Sequence, residues 1–257
     1  MILLETQGLV KCYSGRTVVD KVSVMVHERE IVGLLGRNGA GKTTTFRMVI
    51  GMVIPNDGKV IFEGRDITKI PMYQRARMGM GYLSQEPSVF QRLSVEQNLL
   101  AILETMNLSR RERHRRAGEL IHQFGLGQVR RQQGRLLSGG ERRKLEIARA
   151  LVTHPSLILL DEPFSGVDPI AVEDLQKEIF RLRDSGISIL ITDHNVERTL
   201  EVVDQGYIIN EGKVLAYGEP KELINNPLVR KTYLGHTFAG HEFNSDASVK
   251  SSKQPRY

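Results

Sequence analysis

Two stretches, Leu157–Leu160 and Ile187–Ile191, are dominated by apolar residues with little polar alternation. Their length suits strands buried on both faces. The chain between them, Pro169–Asp184, carries helical periodicity, so this part reads as strand, helix and strand of a parallel sheet. A third apolar run, Glu30–Leu35, leads into a glycine-rich loop, after which Thr43–Gly51 predicts a helix closed by its glycine. Ile2–Val10, Val18–Val26 and Val60–Phe62 predict early strands, with turn chemistry at Ser14-Gly15 and Asn56-Asp57-Gly58. From Ser94 to Phe124 the pattern turns helical, with Val95, Asn98, Leu99 and Ile102 on one face. Leu145, Ala148 and Val152 continue that period, so a helical lobe is expected to interrupt the sheet. No internal repeat and no linker precede the last stretch.

No window approaches 18 consecutive apolar residues, so any membrane role would come through partners. The opening MILLETQGLV lacks a basic region and a small-residue cleavage site, and Cys12 is the single cysteine among 257 residues. A globular protein in a reduced cytosolic setting is expected. The net charge of +6 is uneven: residues 86–150 hold 13 Lys or Arg against 7 Asp or Glu, which is the whole excess. Much of it lies in Arg110, Arg111, Arg113, Arg115 and Arg116, either a solvated helical face or a surface for nucleic acid or anionic headgroups. Residues 239–257 are polar and Ser/Lys-rich without periodicity, the pattern of a disordered tail.

The loop after the third apolar run, Gly36-Arg37-Asn38-Gly39-Ala40-Gly41-Lys42-Thr43, matches G-x-x-x-x-G-K-[ST] and lies between a buried strand and a helix, as that phosphate-binding motif requires. Its glycines let backbone N–H groups close around phosphates, Lys42 offers a point charge, and the Thr43 hydroxyl can ligate Mg²⁺. Leu157–Leu160 ends in Asp161 and Glu162, where ligands of open α/β sheets gather. Asp161 suits a metal, and Glu162 can accept a proton from an attacking water. An acidic pair after a strand is by itself equally a helix cap. His194 follows an apolar strand too, and can donate a hydrogen bond to a phosphate. Alone, it and Gln85 would be ordinary surface residues.

Leu137-Ser138-Gly139-Gly140-Glu141-Arg142-Arg143 resembles the signature motif of ABC ATPases, and the other motifs then fall into that family's order across residues 3 to about 238. The resemblance implies a P-loop NTPase (RecA-like) α/β core with an antiparallel β subdomain and a helical subdomain inserted at about 86–150. It implies that residues 1–238 form the ATPase domain. ATP and Mg²⁺ are the implied cofactors. Nucleotide contacts are implied for Tyr13, stacked on adenine, for Gly36, Arg37, Asn38, Gly39, Ala40, Gly41, Lys42, Thr43 and Thr44, and for Gln85 of the Q-loop. Metal contacts are implied for Thr43, Gln85 and Asp161, and catalytic roles for Glu162 and the switch histidine His194.

In this family Ser138, Gly139 and Gly140, with Asp168 of the D-loop Ser165-Gly166-Val167-Asp168, act on ATP held by a second subunit. The resemblance therefore implies a homodimer sandwiching two ATP molecules, bound to integral membrane subunits on the cytoplasmic face of the inner membrane, with no nucleic-acid partner. Phe90, five residues after Gln85, is a candidate for coupling to those subunits, or else a core aromatic of the lobe. Residues 81–90, 161–170 and 191–196 are similar to ATP-binding subunits of lipopolysaccharide export systems, and Tyr233-Leu234-Gly235 fits both these and branched-chain amino-acid importers. Arg37 and Ser84 stand where the family commonly has proline. Apolar Leu234, Phe238 and Phe243 are expected to divide the end into a packed part, to about Phe238, and a free one.

Overall fold

A computed structural model describes residues 1–165 and 169–234, apart from the side chains of residues 169–171, Glu197 and Leu234. The chain opens with β1 (Ile2–Tyr13), β2 (Arg16–Val22), β3 (Met25–His27), β4 (Ile31–Leu35), α1 (Lys42–Ile50), β5 (Asp57–Phe62), β6 (Arg65–Asp66), α2 (Met72–Arg77) and β7 (Met80–Leu83). It continues through α3 (Val95–Leu103), α4 (Arg110–Gln123), a 3₁₀ turn at Gly134–Leu136, and α5 (Gly139–Leu151). Then come β8 (Leu157–Asp161), α6 (Pro169–Asp184), β9 (Ser188–Asp193), α7 (Val196–Leu200), β10 (Gln205–Asn210), β11 (Lys213–Gly218), α8 (Pro220–Asn225), and α9 (Pro227–Val229), followed by a wider turn at Arg230–Leu234.

Two sheets result. One runs β2-β1-β5-β6 with β3 also on β1, all antiparallel, and the other runs β11-β10-β4-β9-β8-β7, parallel except for β11. The strands β4, β8 and β9 are buried at every position. Alternate residues explain why: Ile31, Ile158, Leu160, Ile189 and Ile191 pack with the helical lobe and α6, while Val32, Leu34, Leu157, Leu159 and Leu190 pack with α1 and the antiparallel sheet. A strand covered on both faces needs no polar positions.

Several expectations hold. The strand and helix around the glycine loop form, with Gly51 closing α1 in the left-handed conformation, and α6 has the bounds read from sequence. Ser14 and Gly15 make the two-residue β1–β2 hairpin, both at positive φ, 47° and 81°, which matches the twist of the strands.

Others need correction. The strand expected at Val18–Val26 is two strands, because Thr6 breaks the ladder: its Oγ1 accepts from Val24 N at 2.8 Å and its N donates to Val24 O at 2.8 Å. The turn expected at Asn56-Asp57-Gly58 is the start of β5, where Gly58, at φ 87°, lies against the Gln7 and Gly8 carbonyls in a bulge. The helical stretch expected from Ser94 to Phe124 does form, as two helices each begun by a serine capping box, at Ser94 and Ser109. Elements β7, α2, β10 and β11 go beyond the sequence reading. In α4, Arg115 pairs with Glu119 at 2.6 Å and Arg116 donates to the Val152 carbonyl at 3.2 Å, so part of the arginine run braces the lobe. Among the described residues no helix is long and apolar enough to cross a membrane.

Candidate functional site

The carboxyl ends of β4, β7, β8 and β9 lie side by side, and the glycine loop, Gln85, the Asp161-Glu162 pair and His194 follow those ends directly. The loop is shaped by close packing. A side chain at Gly36 would collide with the Ile209 carbonyl oxygen, and at Gly41, φ 109°, a Cβ would come 2.7 Å from the Val18 oxygen. Gly212 N, in the β10–β11 turn, donates to Ala40 O at 2.8 Å and clamps the loop from behind. Lys42 Nζ donates to the carbonyls of Gly36 at 2.6 Å and Arg37 at 3.0 Å. Burial lowers the Lys42 ammonium from its ordinary value, against the raising pull of Glu162, Asp193 and Asp161.

A cleft of about 570 Å³ is lined by Asn38, Gly39, Gly41, Lys42, Thr43, Thr44, Gln85 and Glu162, so eight of the residues singled out in sequence meet there. Glu162 organises its far wall: Oε2 accepts from Gln85 Nε2 at 3.0 Å and lies 3.2 Å from His194 Nδ1. Its backbone sits at φ 45°, left-handed for a non-glycine residue. Asp161 is buried and accepts from Thr192 Oγ1 at 2.6 Å. Burial raises its carboxyl, as it raises that of Asp193. Thr43, Gln85 and Asp161 line one adjoining cavity of about 530 Å³. This small oxygen-donor set fits Mg²⁺, which keeps waters and phosphate oxygens in its shell, and among the described residues no cage of His, Cys, Asp or Glu competes with it.

Tyr13 does not line the cleft; its ring is 46% exposed at the hairpin mouth with Lys11 Nζ 5.3 Å from the ring centre. Its cross-strand partner Arg16 does line the cleft, together with Val18, and sequence reading missed both. The signal was the hairpin at Ser14-Gly15, which places Arg16 opposite Tyr13. Ser138 does not line this cleft, whereas Gly139 and Gly140 share a neighbouring cavity of about 210 Å³ with Gln85 and Glu162. Ser138 caps α5, but its Oγ and N both contact the Glu141 carboxylate, at 2.8 Å and 2.9 Å. The Ser138 hydroxyl expected to serve an anion site is thus engaged by the Glu141 carboxylate. Asp168, Gly166 and Val167 lie outside the described residues, as do Phe238, Phe243 and the whole stretch 235–257.

Phe90 is no core residue: it is 47% exposed, with the Arg149 guanidinium 4.5 Å from its ring centre. Its loop is held by the buried Asn98, which accepts from Phe90 N at 2.9 Å and donates to the Phe90, Leu93 and Ser94 carbonyls at 3.0–3.2 Å. Beside it, Met52 and Met72, both exposed, and Ile102 line the cavity that also reaches Gln85.

A family model described as ABC transporter matches residues 19–165. The chain is 53% identical over 236 residues to the lipopolysaccharide export system ATP-binding protein LptB of Acidithiobacillus ferridurans, covering 92% of this chain and 98% of that one. It is 51% identical over 239 residues to LptB of Escherichia coli K12, covering 93% and 99%. Among solved structures it is similar to the ADP conformation of MJ1267, an ATP-binding cassette of an ABC transporter, with a TM-score of 0.83 at 28% identity over 91% of this chain and 99% of that one.

Proposed function

Because the chain belongs to the ABC transporter family, as its matched residues 19–165 and its full-length relatives establish, we infer that it is the ATP-hydrolysing subunit of a lipopolysaccharide export transporter. The single observation that carries this is the identity of 51% or more across nearly the whole of both chains.

The cleft suits hydrolysis as follows. Backbone amides of residues 38–44 surround the phosphates at the start of α1, and Lys42 exchanges its bonds with the Gly36 and Arg37 carbonyls for bonds to the β- and γ-phosphates. Thr43, Gln85 and Asp161 would hold Mg²⁺, which would supply charge neutralisation at the transferred phosphoryl group. Glu162 accepts the proton of the attacking water, oriented by Gln85 and His194 through Oε2. His194, whose Nδ1 faces Glu162, presents Nε2 to the γ-phosphate. Arg16, which lines the cleft, flanks the outer phosphates, and Tyr13, its cross-strand partner outside the cleft, supplies a ring for the base.

The ABC transporter cassettes that the chain resembles support a dimer in which Ser138, Gly139, Gly140 and Asp168 of each subunit close over ATP bound by the other. The reading also includes a domain spanning residues 1–238 with the helical lobe at about 86–150. Phe90 and the groove beside it then face integral membrane subunits, and the protein works on the cytoplasmic face of the inner membrane. The test is to isolate the chain with its membrane partners and reconstitute them in vesicles with lipopolysaccharide. ATP should drive extraction of lipopolysaccharide; ATP turnover that ignores it, with partners of an importer type, would refute the substrate.

A further inference from the structure

Arg37 interrupts the glycine loop at a position where its side chain is exposed and no catalytic role claims it. Its guanidinium lies 5.8 Å from the ring centre of Tyr233, 196 positions later, on the final turn Arg230–Leu234. The Tyr233 hydroxyl donates to the Ile209 carbonyl at 2.6 Å, with Asn210 Oδ1 at 3.3 Å. That carbonyl is the one against which Gly36 packs so closely that no side chain could stand there. Ile209 and Asn210 also begin the turn whose Gly212 amide clamps Ala40. One phenol thus fastens the base of the phosphate loop, and one arginine of that loop lies over the same ring. Burial raises the Tyr233 phenol above its ordinary value, more than the Arg37 backbone amide and guanidinium lower it, so the hydroxyl stays a donor.

We propose that Tyr233 and Arg37 form a clasp joining the C-terminal turn to the phosphate loop, making both positioning residues for nucleotide binding. The clasp holds Ile209 against Gly36 and fixes the Arg37 main chain, whose carbonyl, with that of Gly36, parks the Lys42 ammonium. Loop geometry, and with it affinity for a nucleoside di- or triphosphate, then depends on the docked state of residues 230–234. By reciprocity, nucleotide tightens the docking of that turn. The proposal rests on the nucleotide reading of the cleft.

The test uses the full chain and MgADP titration. Tyr233→Phe, which keeps the ring and removes the hydroxyl, should raise the Kd for MgADP and the KM for ATP about 3- to 10-fold, the range of one neutral hydrogen bond, with kcat at saturating ATP little changed. Arg37→Gln should cost about 2- to 5-fold in the natural background and less in a Tyr233→Leu background, because the ring it lies over is gone. MgADP should slow amide exchange in residues 229–234 of the natural chain, and less so in Tyr233→Phe. Variants that lose thermal stability but keep the natural Kd would overturn the clasp, as would effects that simply add in the double variant. Failure of the natural chain to bind MgADP would instead sink the nucleotide reading itself.

Discussion

Replacing Glu162 with Gln separates proton transfer from architecture. In the structure both neighbours of the side chain, Gln85 Nε2 at 3.0 Å and His194 Nδ1 at 3.2 Å, meet the same oxygen, Oε2. A glutamine with its amide oxygen at that place still accepts both, so the wall of the cleft stands and ATP affinity holds. The basic oxygen is lost, and loss of a positioned acid or base commonly costs about 10²- to 10⁴-fold in rate, about 3–5 kcal/mol of barrier. Glu162→Ala should be as slow, but it also strips a partner from two donors, so its KM for ATP should rise above that of Glu162→Gln. The backbone offers an internal control. At φ 45° any side chain is strained by about 1–2 kcal/mol, and glycine is not, so Glu162→Gly should melt roughly 2–8 °C above Glu162→Ala while remaining inactive. The assays are single-turnover phosphate release, nucleotide titration and calorimetry, with size exclusion to detect an accumulating ATP-loaded dimer. Phosphate release by Glu162→Gln near the natural rate would refute Glu162 as the base, and equal melting of the Gly and Ala variants would refute the strain.

Asp161→Asn should raise the melting temperature at pH 7. Burial lifts the folded-state carboxyl above its unfolded value, so the stability it contributes is complete below the unfolded value and lost as pH rises through the folded one. The gain should shrink toward pH 4, and Mg²⁺-dependent stabilisation by ATP should vanish; calorimetry across pH checks both. A mixture of Lys42→Ala and Ser138→Arg chains should regain part of the ATPase activity that each lacks, one intact composite site forming per heterodimer. Phe90→Ala should weaken recovery of the membrane subunits by about 2 kcal/mol while leaving the chain folded, since the Asn98 bonds reach only the Phe90 backbone. Co-purification and a melting curve decide it.

The sequence by itself determined the elements whose signal is local. Strands β4, β8 and β9 are legible because a strand covered on both faces drops its polar positions, and α1 because a phosphate loop and a terminal glycine bracket it. The same local chemistry named Lys42, Thr43, Asp161 and Glu162, and the order of motifs carried the resemblance to ABC ATPases. Only the tertiary structure decided what depends on partners distant in the chain. Val18–Val26 splits because Thr6 bonds to Val24, a contact no periodicity encodes. Strands β7 and β10 owe their burial to places beside β8 and β4 in the sheet, which their few residues do not announce. Arg16 enters the cleft through hairpin register, and Gln85 and His194 meet on one oxygen of Glu162 across 77 and 32 positions. Tyr233 reaches the phosphate loop through Ile209 in the same way. Pattern reports what a residue's own strand or helix requires; which side chains then share a hydrogen bond is fixed by the packing of sheets and helices, and the chemistry of this cleft lies in those shared bonds.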